Sequence, residues 1–307
     1  MPELKSLIEM ELPSGDQVSV FRRRYGSGSG PRVAVVAGIR GDAPEGIRVA
    51  HRVAGFLATI EEQLTGTVDI YPCANPLAAE QGSRRWPFFD VDLNRLFPGR
   101  IDGHPPDRTA HALCSDVRGA DLVIELRGAR PSFREAPQAH VRKRHTASAE
   151  LAKSANVAVV WSRTPGPVAP STFAHQFAGS IVLEGGSGNR LTDSVGRDLR
   201  DGVLNLLSAK GVLPESALPF HWAALQRPLS VTDDQVFRIR TERSGLFLPT
   251  GDLWAEVDKG EPIGDLIEAT TGELLCQVLS PVAGRLLAIR EQPAVFLGTM
   301  VARVVAQ

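Results

Sequence analysis

Residues 33–42 read VAVVAGIRGD and residues 121–127 read DLVIELR, and these two stretches decide the fold. Each begins with a short aliphatic run of the length and composition of a buried strand. Each then passes into a polar segment that contains an arginine, Arg40 in the first and Arg127 in the second. Because open α/β sheets place their sites at the carboxyl ends of parallel strands, both arginines are predicted to lie at the functional edge of one sheet.

The sequence around these stretches alternates short Val, Ile and Leu runs with amphipathic segments from about residue 17 to residue 209. This alternation predicts an α/β fold with a mixed, largely parallel sheet flanked by helices. The predicted strands are 18–22, 33–37, 67–72, 122–126, 157–161 and 180–183. The predicted helices are 44–62, 108–116, 147–154 and 191–207.

The pattern changes after about residue 214, where short apolar segments stand between clusters of Gly, Pro and Asp. Such spacing is typical of a small β-rich unit. We therefore predict an α/β domain over residues 1–213, followed by a small C-terminal β domain over residues 214–307.

The composition excludes several classes of partner. The chain has 307 residues and a formal net charge of -1, so no overall field would attract nucleic acid or an anionic membrane. No apolar run approaches the roughly 20 residues that a membrane span needs, and the first residues lack the order of a secretory signal. The sequence predicts a soluble, cytoplasmic protein with neither nucleic acid nor membrane as a partner.

Histidine-rich and basic segments offer only weak signals. Residues 140–145 read HVRKRH, which we interpret as a solvated loop or helix face because the chain as a whole is not basic. No two histidines show the four-residue helical spacing with an acidic neighbour that marks a metal site. All seven are predicted to be ordinary surface or core residues, namely His51, His104, His111, His140, His145, His175 and His221.

Three segments resemble, in order and separation, the succinylglutamate desuccinylase/aspartoacylase family, which comprises zinc enzymes with a carboxypeptidase-like α/β fold. They are residues 37–46 (AGIRGDAPEG), 75–99, which end in DLNRLFPG, and 122–127 (LVIELR). The resemblance covers nearly the whole chain, and residues 92–99 carry its most specific motif. Residues 182–186 (VLEGG) look like the family's catalytic glutamate segment, and residues 245–284 look like its C-terminal domain, similar to biotinyl/lipoyl carriers.

The resemblance implies a zinc ion held by a His, a Glu and a second His, but these positions are Arg40, Ala43 and Arg127 here. Zinc requires a lone pair from imidazole, thiolate or carboxylate. Arginine presents only hydrogen-bond donors, and alanine presents nothing. We therefore predict that zinc is absent, that no cofactor replaces it, and that the activated water of the family mechanism has no source.

The rest of the pocket matches the family. Arg84, Asn94 and Arg95 stand at positions that grip the carboxylates of an acylated amino acid, and Glu184 stands at the position of the general base. Arginine suits carboxylate binding because its planar fork donates two parallel hydrogen bonds. The alternative is that these are solvated or ion-paired side chains of a long loop.

The substituting arginines leave two hypotheses open. Arg40 and Arg127 would either bind an anion or neutralise Glu125 and Glu184 in a buried ion-pair network. Glu125 and Arg127 are two residues apart on a predicted strand, so both should reach the same side.

The sequence thus predicts a zinc-less, non-hydrolytic relative of the N-acyl amino acid deacylases. It would bind an anionic acyl-amino acid or a peptide terminus, or act as a regulatory subunit, as a homo-oligomer or with an active paralogue. The alternative is an amide hydrolase or acyl transferase that uses Glu184 without a metal or with a differently placed one. Sequence leaves open whether the protein is an enzyme.

Overall fold

The computed structural model of the protein describes residues 3–219 and 228–306; His221 lies outside these ranges. The described residues form five α-helices: α1 (Pro44–Thr59), α2 (Pro76–Glu80), α3 (Pro105–Val117), α4 (Thr146–Ala152) and α5 (Asp193–Ala209). They also form seventeen strands: β1 (Glu3–Glu11), β2 (Gln17–Tyr25), β3 (Arg32–Val36), β4 (Thr67–Tyr71), β5 (Leu122–Leu126), β6 (Phe133–Arg142), β7 (Val159–Arg163), β8 (Ile181–Ser187), β9 (Leu229–Thr232), β10 (Val236–Arg240), β11 (Gly245–Pro249), β12 (Glu256–Val257), β13 (Pro262–Ile267), β14 (Leu274–Leu279), β15 (Gly284–Arg290), β16 (Ala294–Val295) and β17 (Met300–Ala306).

A large mixed sheet organises the molecule, with strand order β1-β2-β4-β3-β5-β8-β6-β15-β17-β10. Its centre is parallel: β3 pairs with β4 and β5, and β5 pairs with β8. β6 runs antiparallel to β8 but parallel to β7, which in turn pairs with β9. The predicted α/β class with a mixed, largely parallel sheet and a β-rich C-terminal region is therefore confirmed.

The central strands are buried on both faces, which explains their continuous aliphatic sequences. Val33 and Val35 face one apolar core that includes residues of α1 and α5. Ala34 and Val36 face a second core that includes residues of α3. The sheet is thus covered on both sides, and its carboxyl edge is left for the loops that follow each strand.

The predicted elements occur with shifted ends, and two strands of the α/β region were not predicted. The first helix ends at Thr59 rather than residue 62, and α3 begins at Pro105 rather than residue 108. The two additional strands are β1 and β6. The interpretation of residues 140–145 as a solvated loop or helix face is wrong for its first half, because β6 runs through Arg142 and His140 is buried.

The C-terminal strands join the large sheet directly. β15 pairs with the start of β6, and β17 pairs with both β15 and β10. A separate four-stranded sheet, with order β14-β13-β11-β16, packs against β10, β15 and β17 of the large sheet through a shared apolar core. The predicted domain boundary between residues 213 and 214 remains a prediction. The large sheet contains strands from both sides of this boundary.

A close backbone approach fixes the loop after β3. A Cβ atom at Gly41 would lie 2.0 Å from the backbone carbonyl of Ala78 in α2, so only glycine fits there. α2 itself begins after Asn75, whose side chain accepts a hydrogen bond from the Ala78 N–H. The close approach holds the loop that carries Arg40 against the sheet edge.

Candidate ligand-binding site at the carboxyl edge of the sheet

A cavity of about 540 Å³ opens at the carboxyl ends of β3, β5 and β7 and beside the start of β8. It brings together five of the predicted site residues that bear guanidinium or amide groups, and Glu184 as well. Within the described residues, seven guanidinium groups line this cavity and Glu184 is its one acidic side chain; the arginines are Arg40, Arg84, Arg95, Arg127, Arg130, Arg142 and Arg163.

Arg40 and Arg127 each pair with an acid two residues away. Arg40 donates through Nε and Nη2 to the two oxygens of Asp42, both at 2.9 Å. Arg127 donates in the same way to Glu125, at 2.5 and 2.7 Å. All four side chains are largely buried, and Glu125 is only 1% exposed. The ion-pair hypothesis therefore holds for Arg127 with Glu125. Arg40 pairs instead with Asp42, which was not expected, and among the described residues neither arginine forms an ion pair with Glu184.

The remaining nitrogen of each of these two guanidinium groups is available to donate a hydrogen bond. Nη1 of Arg40 and Nη1 of Arg127 donate to no acceptor in residues 3–219 or 228–306. Both residues line the cavity, so a ligand bound there would be the natural acceptor for these donors. Neutralisation by the chain and donation to a ligand are thus compatible in this geometry.

Arg84, Asn94 and Arg95 lie on the long loop between α2 and α3. Arg84 donates through Nε to Asp92 at 2.8 Å and remains about half exposed. Asn94 is buried, and its Oδ1 accepts from the Phe173 N–H at 2.8 Å, which ties the loop to the opposite wall. Arg95 is 3.9 Å from Asp92, so its charge is only loosely compensated. The alternative of solvated or ion-paired loop side chains describes Arg84 and also fits Arg95, which is partly exposed, whereas Asn94 is buried.

Glu184 projects from β8 into the cavity and is ionised. Burial alone would raise the pKa of its carboxyl, but the positive charges around it outweigh burial and hold the pKa well below its usual range; they belong to His140 when it is protonated in acid, and to Arg127, Arg130 and Arg163. Nε2 of His140 lies 3.6 Å from Oε1 of this carboxylate.

His140 is neutral under ordinary conditions. Burial, reinforced by nearby arginines, lowers the pKa of its imidazole to about 3 despite the opposing charge of Glu184. Gln138 donates to Glu135 at 2.9 Å, so its Oε1 must accept from His140 Nε2, also at 2.9 Å. Nδ1 of His140 is then the acceptor that faces Arg163 at 3.5 Å.

Four basic side chains that line the cavity were not predicted as site residues from the sequence: Arg130, His140, Arg142 and Arg163. Arg163 ends β7, a strand that was predicted, and so it could have been found by the rule that located Arg40 and Arg127. Arg142 ends β6, which runs antiparallel to the central strand β8. The buried polar residues of β6 made it hard to recognise as a strand from the sequence.

A larger cavity, about 920 Å³, lies near the amino ends of β3 and β4 and contains none of the predicted site residues.

Residues 29–209 match the family model for the succinylglutamate desuccinylase/aspartoacylase catalytic domain. The match spans more than half of the chain and contains every site residue described above. The chain belongs to this family. Its relatives include N-acyl amino acid deacylases: the N-alpha-acetyl-L-2,4-diaminobutyric acid deacetylase of Halomonas elongata is 33% identical over 110 residues. That alignment covers 36% of this chain and 30% of the length of the relative.

Solved structures of the family share the fold of this chain. The product-bound ectoine utilization protein EutE (DoeB) from Ruegeria pomeroyi superposes with a TM-score of 0.83 at 22% identity, over 100% of this chain and 95% of that chain. A succinylglutamate desuccinylase/aspartoacylase from Rhodobacter sphaeroides gives a TM-score of 0.81 at 22% identity, over 99% and 96% of the two chains. At this identity the likeness establishes the architecture alone.

The side chains at the sheet edge do not fit the zinc ion that the family resemblance implies. The implied ligand positions hold Arg40, Ala43 and Arg127, and the two arginines are already donors to Asp42 and Glu125. In the part of the chain that the structure describes, no three His, Cys, Asp or Glu side chains are grouped so as to hold a metal ion.

Within residues 3–219 and 228–306, no helix is long and apolar enough to cross a bilayer.

Proposed function

We propose that this protein is a zinc-less, non-hydrolytic member of its family that binds an anionic N-acyl amino acid or a peptide terminus. The observation that supports this proposal most is the charge of the cavity. Seven guanidinium groups line it, whereas one carboxylate lines it and four others, Asp42, Asp92, Glu125 and Glu135, lie behind its wall. The guanidinium groups outnumber these carboxylates, and this excess of positive charge favours anionic ligands.

The carboxylate of the ligand is assigned to Arg84, Asn94 and Arg95. Among the described residues Arg95 has no counter-ion nearer than Asp92, and the planar guanidinium suits two-point donation to a carboxylate. Asn94 uses its oxygen for Phe173 and so presents its NH₂ group. The apolar side of the cavity, which includes Val141, Val168 and Val182, would hold the acyl group.

Hydrolysis is disfavoured by the state of Glu184. A general base works best when its pKa lies near the operating pH, and the pKa of Glu184 is held well below its usual range. With arginine and alanine at the implied ligand positions, a metal-bound water has no place to form. The competing proposal of a metal-independent hydrolase or acyl transferase would need Glu184 to accept a proton despite this surrounding charge.

A ligand panel tests the binding proposal. N-acetyl and N-succinyl amino acids should raise the melting temperature of the protein, because a ligand that binds only the folded state stabilises it by RT ln(1 + [L]/Kd). The corresponding amino acid carboxamides, which lack the α-carboxylate, should not. Absence of any carboxylate-dependent shift across the panel would favour a purely regulatory subunit, assembled with itself or with an active paralogue.

A matched pair of variants locates the carboxylate site. Arg95→Gln should lower the affinity of the best ligand about tenfold or more, as expected for a lost charged hydrogen bond. Arg85→Gln removes an exposed arginine of the same loop that pairs with Asp90, and it should leave the affinity unchanged.

Metal content and turnover decide between the binding protein and the enzyme. Protein purified without chelators from zinc-supplemented cultures should contain substoichiometric zinc by elemental analysis, and it should release no free amino acid from the bound N-acyl ligand. Stoichiometric zinc with hydrolysis would overturn the proposal. Zinc-free hydrolysis that Glu184→Gln abolishes would establish the competing enzyme.

A further inference from the structure

Glu184 is a buried carboxylate without a hydrogen-bond donor in the described chain. The residue is 6% exposed, and its carboxylate accepts no hydrogen bond from residues 3–219 or 228–306. Nε2 of His140 lies 3.6 Å away and donates its proton to Gln138 instead. In the same ranges no guanidinium nitrogen comes within 4.0 Å of it, although Arg127, Arg130 and Arg163 surround it at longer range.

The carboxylate of Glu184 therefore requires a hydrogen-bond donor from the water or ligand that occupies the cavity. Buried charges in folded proteins are nearly always hydrogen-bonded, and leaving one unsatisfied is more costly than leaving a neutral group unsatisfied. Water can serve in the free protein, since Glu184 faces the cavity. A ligand that displaces this water must bring its own N–H or O–H, or lose affinity.

The surrounding charge selects the kind of donor. An ammonium group beside Glu184 would also lie in the field of Arg127, Arg130 and Arg163, which already compensate the carboxylate electrostatically. A neutral N–H satisfies the carboxylate without adding a positive charge to this cluster. The free amine of a deacylated amino acid is therefore a poorer fit than an intact secondary amide.

Guanidinium groups that line the same cavity can use hydrogen-bond acceptors from a ligand. Nη1 of Arg127 has no partner in the described chain, and Arg163 donates only towards Nδ1 of His140, at 3.5 Å, while its guanidinium carbon lies 4.7 Å from the ring centre of Trp161. A carbonyl oxygen would satisfy either guanidinium. An amide group, with one N–H and one C=O on opposite sides, complements this pairing of an acceptor with donors.

We infer that Glu184 is a specificity-determining residue that accepts a hydrogen bond from the intact amide N–H of the ligand, with the amide carbonyl turned towards Arg127 and Arg163. This inference rests on the proposed function and deepens it. The protein recognises secondary amides that carry a carboxylate, in preference to the isosteric esters, tertiary amides and free amines. Glu184 thereby serves as a recognition group in a site that lacks the residues for zinc.

Isosteric ligands test the inference by calorimetry or thermal shift. The probes are N-acetyl-L-alanine with O-acetyl-L-lactate, and N-acetyl-L-aspartate with O-acetyl-L-malate, each pair differing only in amide N–H against ester oxygen. The amide should bind at least about tenfold more tightly than its ester, and free L-alanine and L-aspartate should bind less tightly than their N-acetyl forms.

Variants of Glu184 separate recognition from a structural role. Glu184→Met, which removes the acceptor, should bind amide and ester alike, whereas Glu184→Gln, whose Oε1 still accepts, should retain part of the preference. The measured quantity is the ratio of the two affinities, which a general loss of folded protein does not change. Glu184→Gln keeps the test valid if the methionine variant fails to fold.

The outcomes distinguish the inference from the proposal beneath it. Equal binding of amide and ester to the unaltered protein, an unchanged ratio in Glu184→Met, or tightest binding of the free amine would overturn the inference while leaving carboxylate binding intact. Failure of every N-acyl probe to bind would overturn the proposed function and the inference together.

Discussion

Polar side chains on β6 determine which hydrogen bonds His140 makes in the cavity wall and whether it is protonated. Glu135 accepts from Gln138, and Gln138 accepts from Nε2 of His140, so each group fixes the hydrogen-bonding role of the next. His140 therefore offers Nδ1 towards Arg163 and stays neutral, because burial disfavours its charged form and the nearby guanidinium groups add to this effect. The chain of contacts explains how a histidine can be buried beside an ionised glutamate without forming a charged pair.

Substitution of His140 should alter the pH dependence of stability. The folded-state pKa of His140, about 3, is below the ordinary value of 6.5. The unfolded chain thus binds a proton below pH 6.5 that the folded chain excludes, and stability falls as pH drops from 6.5 towards 3, by at most about 1.4 kcal/mol per pH unit. Above pH 6.5 this contribution is constant.

Urea unfolding at pH 7.5 and pH 5.0 checks this expectation. The unaltered protein should lose more stability between the two pH values than His140→Gln does. An equal loss in both proteins would show that His140 is protonated in the folded state at pH 5.0.

The ion pair between Arg127 and Glu125 should behave as a buried unit. Arg127→Met leaves Glu125, 1% exposed, without its partner, and removing one member of a buried pair costs about 3–5 kcal/mol. The double variant Glu125→Leu/Arg127→Met should recover most of this loss, since apolar replacement of a whole buried pair is often neutral. The free energy of unfolding by denaturant measures both, and a double variant no more stable than the single one would contradict the account.

At the scale of elements, the loops after the parallel strands place the site, and their backbones allow little change. Gly41 lies against α2, whereas Gly55 lies on the exposed face of α1, where an added Cβ would have no atom within 4 Å. The two glycines thus form a natural pair in which one is required by packing and the other is not.

Alanine at these two positions should have opposite effects on stability. Gly55→Ala should raise the free energy of unfolding by about 0.5–1 kcal/mol, because alanine favours a helix interior. Gly41→Ala should lower it and weaken ligand binding, because the new Cβ would lie 2.0 Å from the carbonyl of Ala78 and displace the loop that carries Arg40. Thermal unfolding and the ligand-induced shift measure both, and a neutral Gly41→Ala would disprove the close contact.

At the scale of the whole molecule, the C-terminal region packs behind residues that line the cavity. Arg303 of β17 is fully buried, with Nη1 4.0 Å from Glu135 and its guanidinium carbon 5.6 Å from the ring centre of Trp161. β15 also covers the edge of β6 at Phe133 and Glu135. The carboxyl edge of the sheet is therefore supported from behind by a segment that lies more than a hundred residues away in sequence.

Removal of the C-terminal strands should prevent folding of the remainder. A chain ending at residue 219 would leave β6 with an unpaired edge and would expose Phe133 and the buried charge of Glu135. We expect aggregation or loss of cooperative unfolding, measured by size-exclusion chromatography and circular dichroism. A monomeric fragment that unfolds cooperatively would instead support an independent domain over residues 1–213.

The sequence by itself determined the α/β class and the central strands, and it predicted six site residues that line one cavity of the structure. Apolar runs such as residues 33–36 and 122–126 are buried on both faces, so their composition alone reveals them, and the arginine that follows each run, Arg40 or Arg127, marks the sheet edge. The motif over residues 92–99 and the glutamate of residues 182–186 indicated the family in the same direct way.

Only the tertiary structure decided which charges meet. The pairing of Arg40 with Asp42, the neutrality of His140 and the contribution of Arg163 depend on distances between loops and strands that no local pattern encodes. β6 escaped prediction because it carries polar side chains, such as Glu135, Gln138 and His140, that become buried only in the assembled sheet, so its sequence looks like a solvated segment. Burial and electrostatics are properties of the assembled fold, and the chemistry of this site follows from them.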